Sequence, residues 1–73
     1  MDELLKNAIE ITIVNGASTA LLQRKFLLPY NKAHTLMDEM EKLGVVGKYS
    51  GTKPREVLIK SINDIKTNQK PND

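Results

Sequence analysis

Ala20-Leu21-Leu22-Gln23-Arg24-Lys25-Phe26-Leu27-Leu28-Pro29-Tyr30-Asn31-Lys32-Ala33-His34-Thr35-Leu36-Met37-Asp38-Glu39-Met40-Glu41-Lys42-Leu43-Gly44 is the stretch on which the fold turns. Two helical patterns meet in it across a very short joint. Ala20–Phe26 offers Leu21, Leu22 and Phe26 to an interior and turns Gln23, Arg24 and Lys25 outward. From Tyr30 to Leu43, the residues Ala33, Leu36, Met37, Met40 and Leu43 recur at helical spacing and make one apolar stripe. Pro29 suits the entry to that second helix, where a missing N–H costs nothing, and Gly44 stops it. Leu27-Leu28-Pro29 leaves about three residues for the joint, the length that sets a helix-turn-helix pair at a steep angle.

Working outward, Asp2 to about Val14 spaces Leu5, Ala8, Ile9, Thr12 and Ile13 as one face of a further helix. Its β-branched run Ile9–Val14 pulls toward strand, and Asn15-Gly16 closes it. Ser18 or Thr19 can cap the helix that follows. Past Gly44, Val45–Lys48 and Arg55–Lys60 read as two strands joined by the turn-forming stretch Tyr49-Ser50-Gly51-Thr52-Lys53-Pro54. Val57 and Ile59 point one way in the second strand, Glu56 and Leu58 the other. Residues 61–73 are polar and read as a flexible tail with one helical turn near Ile62 and Ile65. The expected fold class is therefore α+β, a winged helix-turn-helix: three helices and then a two-stranded β-hairpin wing over residues 1–60.

Composition narrows the chemistry. Seventy-three residues make one small domain. With no cysteine there is no disulfide, thiolate metal site or cysteine nucleophile. His34 is the single histidine, and only Asp38 stands at i+4 to help it, so no metal or other cofactor is expected. Asp38, Glu39 and Glu41 share a helix with no pocket to make them a catalytic pair; near DNA such acids tune binding by repulsion. No Gly-x-x-x-x-Gly-Lys-Ser/Thr phosphate loop occurs, and the chain is not read as an enzyme. No apolar run approaches the ~20 residues that span a bilayer. Met1-Asp2-Glu3 is acidic where a secretory leader is basic, so the expected compartment is the cytoplasm, without membrane contact by this segment.

The net charge of +2 is unevenly placed. Residues 1–23 set Lys6 against Asp2, Glu3 and Glu10. Residues 24–60 set Arg24, Lys25, Lys32, Lys42, Lys48, Lys53, Arg55 and Lys60 against Asp38, Glu39, Glu41 and Glu56. A basic middle is the usual electrostatic footprint of a nucleic-acid binder, although a mixed-charge solvated surface looks similar. In a helix-turn-helix the outer amino-terminal face of the second helix reaches base edges in the major groove. Here that face carries Asn31, Lys32 and Thr35, with His34 on its flank. Arg24 and Lys25 are placed for phosphates, as are Lys48, Lys53 and Arg55 on the hairpin, where Arg55 has the alternative of pairing with Glu56 or a helix carboxylate. Tyr30 is read as packing at the helix entry, and Met37 and Met40 as core.

Four pieces of this chain, in order and without an evident gap, resemble the gamma domain of the FtsK/SpoIIIE DNA translocases. They are Gln23-Arg24-Lys25, Tyr30-Asn31-Lys32-Ala33, Gly44-Val45-Val46-Gly47 and Gly51-Thr52-Lys53-Pro54-Arg55-Glu56-Val57-Leu58. The resemblance implies a winged helix at the carboxyl end of a hexameric, ATP-driven DNA pump. Such a domain reads short, oriented, often G-rich chromosomal sequences on double-stranded DNA. It also implies a motor domain as partner and, as in FtsK, contact with a Xer-type recombinase, at the cytoplasmic end of a membrane-anchored bacterial translocase. Matched by position, the family's recognition-helix contacts fall on Asn31, Lys32 and Thr35, and its supporting basic positions on Arg24, Lys25, Lys53 and Arg55.

The chain departs from the family at four places. Thr35 stands where arginine is usual, Pro29 where glycine precedes the tyrosine, His34 at an alanine and Lys48 at a proline. Two other function classes compete with DNA reading: a protein-interaction winged helix, and a free-standing transcription regulator. The latter needs a dimer surface, and no heptad or long exposed apolar helix supplies one.

Overall fold

A computed structural model of the chain describes residues 2–51 and 54–65. Three helices form its body: α1 (Glu3–Asn15), α2 (Thr19–Phe26) and α3 (Tyr30–Lys42), followed by a single 3-10 turn, Ile62–Asp64.

Each helix starts and stops for a local reason. The Asp2 carboxylate accepts the Leu5 N–H at 3.3 Å and caps α1, and a carboxylate there also meets the positive end of the helix dipole. Gly16, at φ 93°, ends α1 while its N–H donates to the Thr12 carbonyl at 2.8 Å. Ser18 Oγ accepts the Leu21 N–H at 3.1 Å and opens α2. α2 closes at Leu27, whose φ of 56° is left-handed, with the Leu28 N–H donating to Gln23 O at 3.0 Å. A Cβ in that region costs about 1–2 kcal/mol, so the tight joint holds Leu27 in strain and leaves its side chain 89% exposed. Pro29 is extended and its carbonyl accepts the Ala33 N–H at 3.1 Å. At the far end of α3, Gly44 takes φ 82°, and the Val45 N–H reaches back to Met40 O at 2.9 Å.

The β-branched run of α1 is helical because burial outweighs its weak strand preference. Ala8, Ile9 and Thr12 form the buried face, flanked by half-buried Leu5 and Ile13. They pack with Leu22 of α2 and with Ala33, Leu36, Met37 and Met40 of α3. Val45 and Val46 complete this core immediately after the helix stop.

Of the expected two-stranded hairpin, the described residues show one rung. Val46 and Val57 form one isolated antiparallel bridge, bracketed by Gly47 N–H to Glu56 O at 2.9 Å and Leu58 N–H to Val45 O at 2.8 Å. A lone two-stranded ladder has little to stabilise it beyond the side chains it buries, and burial here favours the base. Val57 and Ile59 are half-buried while Glu56 and Leu58 are exposed, the alternation read from the sequence. Thr52 and Lys53, in the middle of the joining stretch, lie outside the described residues.

The helical turn anticipated near Ile62 and Ile65 is the 3-10 turn. Ser61 Oγ accepts the Asn63 N–H at 3.1 Å, and Asp64 Oδ2 accepts the Ser61 N–H at 3.2 Å. Ile62 and Ile65 are half-buried against the core, so residues 61–65 are joined to the domain. The flexible tail expected beyond them lies outside the described residues.

Among the described residues one buried side-chain group lacks a partner: Thr12 Oγ1 makes no hydrogen bond. Valine matches threonine in shape and removes that hydroxyl, and an unsatisfied buried polar group costs about 1–3 kcal/mol. Thr12→Val is expected to stabilise the domain by about 1 kcal/mol, raising Tm by roughly 4–8 °C for a chain of this size. Thermal unfolding followed by circular dichroism checks it, and a lowered Tm would show that the hydroxyl is satisfied in solution.

Candidate nucleic-acid interface

α2 and α3 are joined by Leu27, Leu28 and Pro29 alone. With Ala33, Leu36, Met37 and Met40 committed to the core, the helical period brings Asn31, Thr35 and Asp38 onto one outward stripe, and all three are exposed. Lys32 is exposed on one side of the stripe and half-buried His34 lies on the other. The site residues expected on α3 are thus brought together on its amino-terminal half.

The first turn of α3 differs from those of the other helices in lacking a side-chain cap. α1 is capped by Asp2 and α2 by Ser18, whereas α3 begins at Pro29 with no side-chain cap and no acidic residue in its first turn. Its leading amides and the positive end of its dipole therefore stand beside Lys32. Thr35 Oγ1 donates to the Asn31 carbonyl at 3.0 Å. That fixes the hydroxyl proton inward along the helix and leaves the oxygen to act as an acceptor.

Arg24 and Lys25 are exposed in the last turn of α2, and Lys48 is exposed just beyond the bridge. Arg55 takes the alternative left open by its sequence. Its side chain is 8% exposed and its Nη1 donates to Glu41 Oε1 at 3.2 Å, while Nη2 lies 3.5 Å from Asp38 Oδ1. The guanidinium carbon also sits 5.8 Å from the centre of the Tyr49 ring. In this arrangement two carboxylates engage the guanidinium, so a phosphate would compete with them. Lys53 lies outside the described residues.

One further placement differs from expectation. Tyr30 is 57% exposed rather than packed at the helix entry, with its ring 5.7 Å from that of His34. His34 Nδ1 in turn lies 3.4 Å from Asp38 Oδ2. Asp38 thus joins His34 to Arg55, a link that the sequence marks by i,i+4 spacing on one side and, on the other, only as an unspecified helix carboxylate for Arg55. Among the described residues no group of three or more His, Cys, Asp or Glu side chains could hold a metal ion, and no helix is long and apolar enough to cross a membrane.

A family model described as the Ftsk gamma domain matches residues 1–60. The chain belongs to the FtsK gamma-domain family. The matched span contains all three helices, the Val46–Val57 bridge and every site residue expected from the sequence. The gamma domain is 48% identical over 64 residues to a DNA translocase FtsK of Halalkalibacterium halodurans, 86% of the chain being covered. It is 52% identical over 59 residues to a DNA translocase FtsK of Clostridium tetani and 49% identical over 59 residues to the DNA translocase SpoIIIE of Bacillus subtilis, each covering 80% of the chain. The chain spans 8% of the length of each of these relatives.

Proposed function

We propose that this gamma domain binds double-stranded DNA sequence-selectively and orients a translocase motor on it. One observation carries the reading: α3 buries one face in the core and presents Asn31, Lys32 and Thr35 together on the other, beside an uncapped and acid-free first turn. A helix of that kind fits the major groove with its amino-terminal side chains at base edges. Unblocked amides there suit a phosphate.

In this reading Asn31 makes paired hydrogen bonds to adenine and Lys32 donates to guanine. Thr35, with its proton held by the Asn31 carbonyl, offers an acceptor oxygen and a methyl group. Those suit the amino group of adenine or cytosine, or a thymine methyl, and not the two acceptors of guanine. A target less G-rich than the family's usual one follows. Arg24 and Lys25 hold phosphates on one side of the groove. The segment from Val45 to Leu58 acts as the wing, bringing Lys48 and, by its resemblance to the family, Lys53 to the adjacent backbone. The relatives' description as DNA translocases supports the same assignment, with the motor supplied by another part of a longer chain or by a separate subunit.

Selection from a pool of random duplexes, followed by a salt titration of the winner, tests the proposal. Log affinity should fall linearly with log salt at about −0.9 per phosphate neutralised. Lys25→Ala should weaken selected and unselected duplexes alike and flatten the slope by about 0.9. Enrichment of no sequence, with equal affinity for all duplexes, would overturn selectivity. Absence of duplex binding at low salt would overturn the whole reading.

A further inference from the structure

We propose that Arg55 is a positioning residue of the interface, a strap that fixes the wing to α3, and not a phosphate ligand. The inference rests on the DNA-binding reading above and assigns this residue a different part in it.

The geometry is that of an internal fastening. The two ion pairs, to Glu41 and Asp38, engage both terminal nitrogens of the guanidinium, and the Tyr49 ring lies against it. The Arg55 side chain is nearly enclosed while its carboxylate partners are half exposed, so the arginine is the sheltered member of the cluster. Reaching a phosphate would break both pairs and leave the two carboxylates unneutralised beside DNA.

Its position in the chain gives the fastening a consequence. Arg55 stands two residues before Val57, the residue that bridges to Val46. Anchoring it to the carboxyl-terminal half of α3 therefore fixes the returning arm of the wing relative to the helix that reads the groove. Asp38 lies on the stripe of Asn31 and Thr35, and its second oxygen faces His34, whose ring meets Tyr30. A continuous run of contacts thus leads from the wing arm to the first turn of α3. Arginine suits the task because its planar fork can bond two carboxylates at once, whereas a lysine is a single compact charge.

The test uses the 73-residue chain and a labelled duplex recovered by it from a random pool, at a temperature where circular dichroism shows every variant folded. Glu41→Gln removes a negative charge from a DNA-binding domain yet is expected to weaken binding by roughly three- to tenfold, the size of ordinary coupling between contacting groups. Tighter binding would overturn the strap. Arg55→Gln should cost at least threefold less in the Glu41→Gln background than in the wild type; an equal cost in both backgrounds would mark a direct phosphate contact instead. Arg55→Lys should fail to restore affinity, and restoration would count against the proposal. In hydroxyl-radical footprints Glu41→Gln should lose backbone protection only on the wing side. Loss spread evenly over the footprint would reduce Arg55 to a general stabiliser. If Glu41→Gln binds more tightly while the wild type binds normally, the strap alone falls; if the wild type binds no duplex, the DNA reading falls with it.

Discussion

Met40→Ala is expected to destabilise the domain by about 2–5 kcal/mol, the range for removing a large aliphatic side chain from a core. Met40 is fully buried in the last turn of α3, and the core cluster it belongs to includes Ile9, Leu22 and Leu36, one from each of the three helices. A chain of this length has a total stability on the order of 4–11 kcal/mol. The loss therefore amounts to a large share of what holds the fold, and Tm should fall by roughly 10–30 °C. The site has little means of collapsing, because Ala8 and Ala33 are already as small as side chains become and Val45 follows directly on the helix stop. Leu27→Ala supplies the contrast in the same experiment. That leucine is larger in exposed area than anything else on the helix-turn-helix joint, but it projects into solvent and the left-handed backbone is equally unfavourable for alanine. Its change in stability should stay within about 0.5 kcal/mol. Urea or thermal unfolding separates the two variants, and a Met40→Ala loss below 1 kcal/mol would mean that the core is not assembled around α3 as described.

Much of this architecture is legible in the sequence because its determinants are local. The spacing of Ala33, Leu36, Met37 and Met40 names the buried face of α3, and Gly44 names its end, since a left-handed residue is needed there. Ser18 announces α2 for an equally local reason: its hydroxyl is three residues from the amide it accepts. What the sequence does not disclose is set by partners far away in the chain. For Arg55 the sequence leaves a phosphate, Glu56 or a helix carboxylate open, and only the fold selects Glu41 and Asp38, 14 and 17 residues away. Tyr30 reads as a packing aromatic because it stands at i−3 and i−7 from Ala33 and Met37, but at the very first position of α3 it lies beside His34 and stays exposed. The two-strand reading reaches further than the single bridge seen among the described residues. Alternation in Glu56–Ile59 reports which side chains are buried, and burial alone does not extend the ladder beyond Val46 and Val57.

The same separation of faces explains why stability and recognition can change independently in so small a domain. Side chains that hold α3 in place and side chains proposed to read DNA alternate along it, Ala33, Leu36, Met37 and Met40 being buried and Asn31, Lys32 and Thr35 exposed, while Asp38 and Glu41 pair with Arg55. Those two acids link the helix to the wing, so substitutions there should affect DNA geometry and folding together, whereas Asn31 and Lys32 should affect DNA alone.

Asn31→Ala is accordingly expected to erase preference at one base pair while leaving the fold intact. An asparagine side chain can accept from adenine N6 and donate to N7 at once, and a good bidentate contact is worth about 1–3 kcal/mol of discrimination. The ratio of affinities for the selected duplex and for one altered at the contacted pair should therefore shrink by roughly 5- to 150-fold. Affinity for unselected duplexes should hold steady, and so should the salt slope, because asparagine neutralises no phosphate. Stability should not fall: Asn31 is exposed, its side chain caps nothing in α3, and alanine is the better helix former. Thr35 keeps its hydrogen bond in the variant, since its acceptor is the backbone carbonyl of residue 31 and not the side chain. A neighbouring contact is thus preserved as the tested one is removed, and the change in preference can be attributed to one side chain. Were Asn31→Ala instead to weaken all duplexes equally and flatten the salt dependence, the residue would be a backbone contact, and the groove-reading face of α3 would have to be sought elsewhere on the helix.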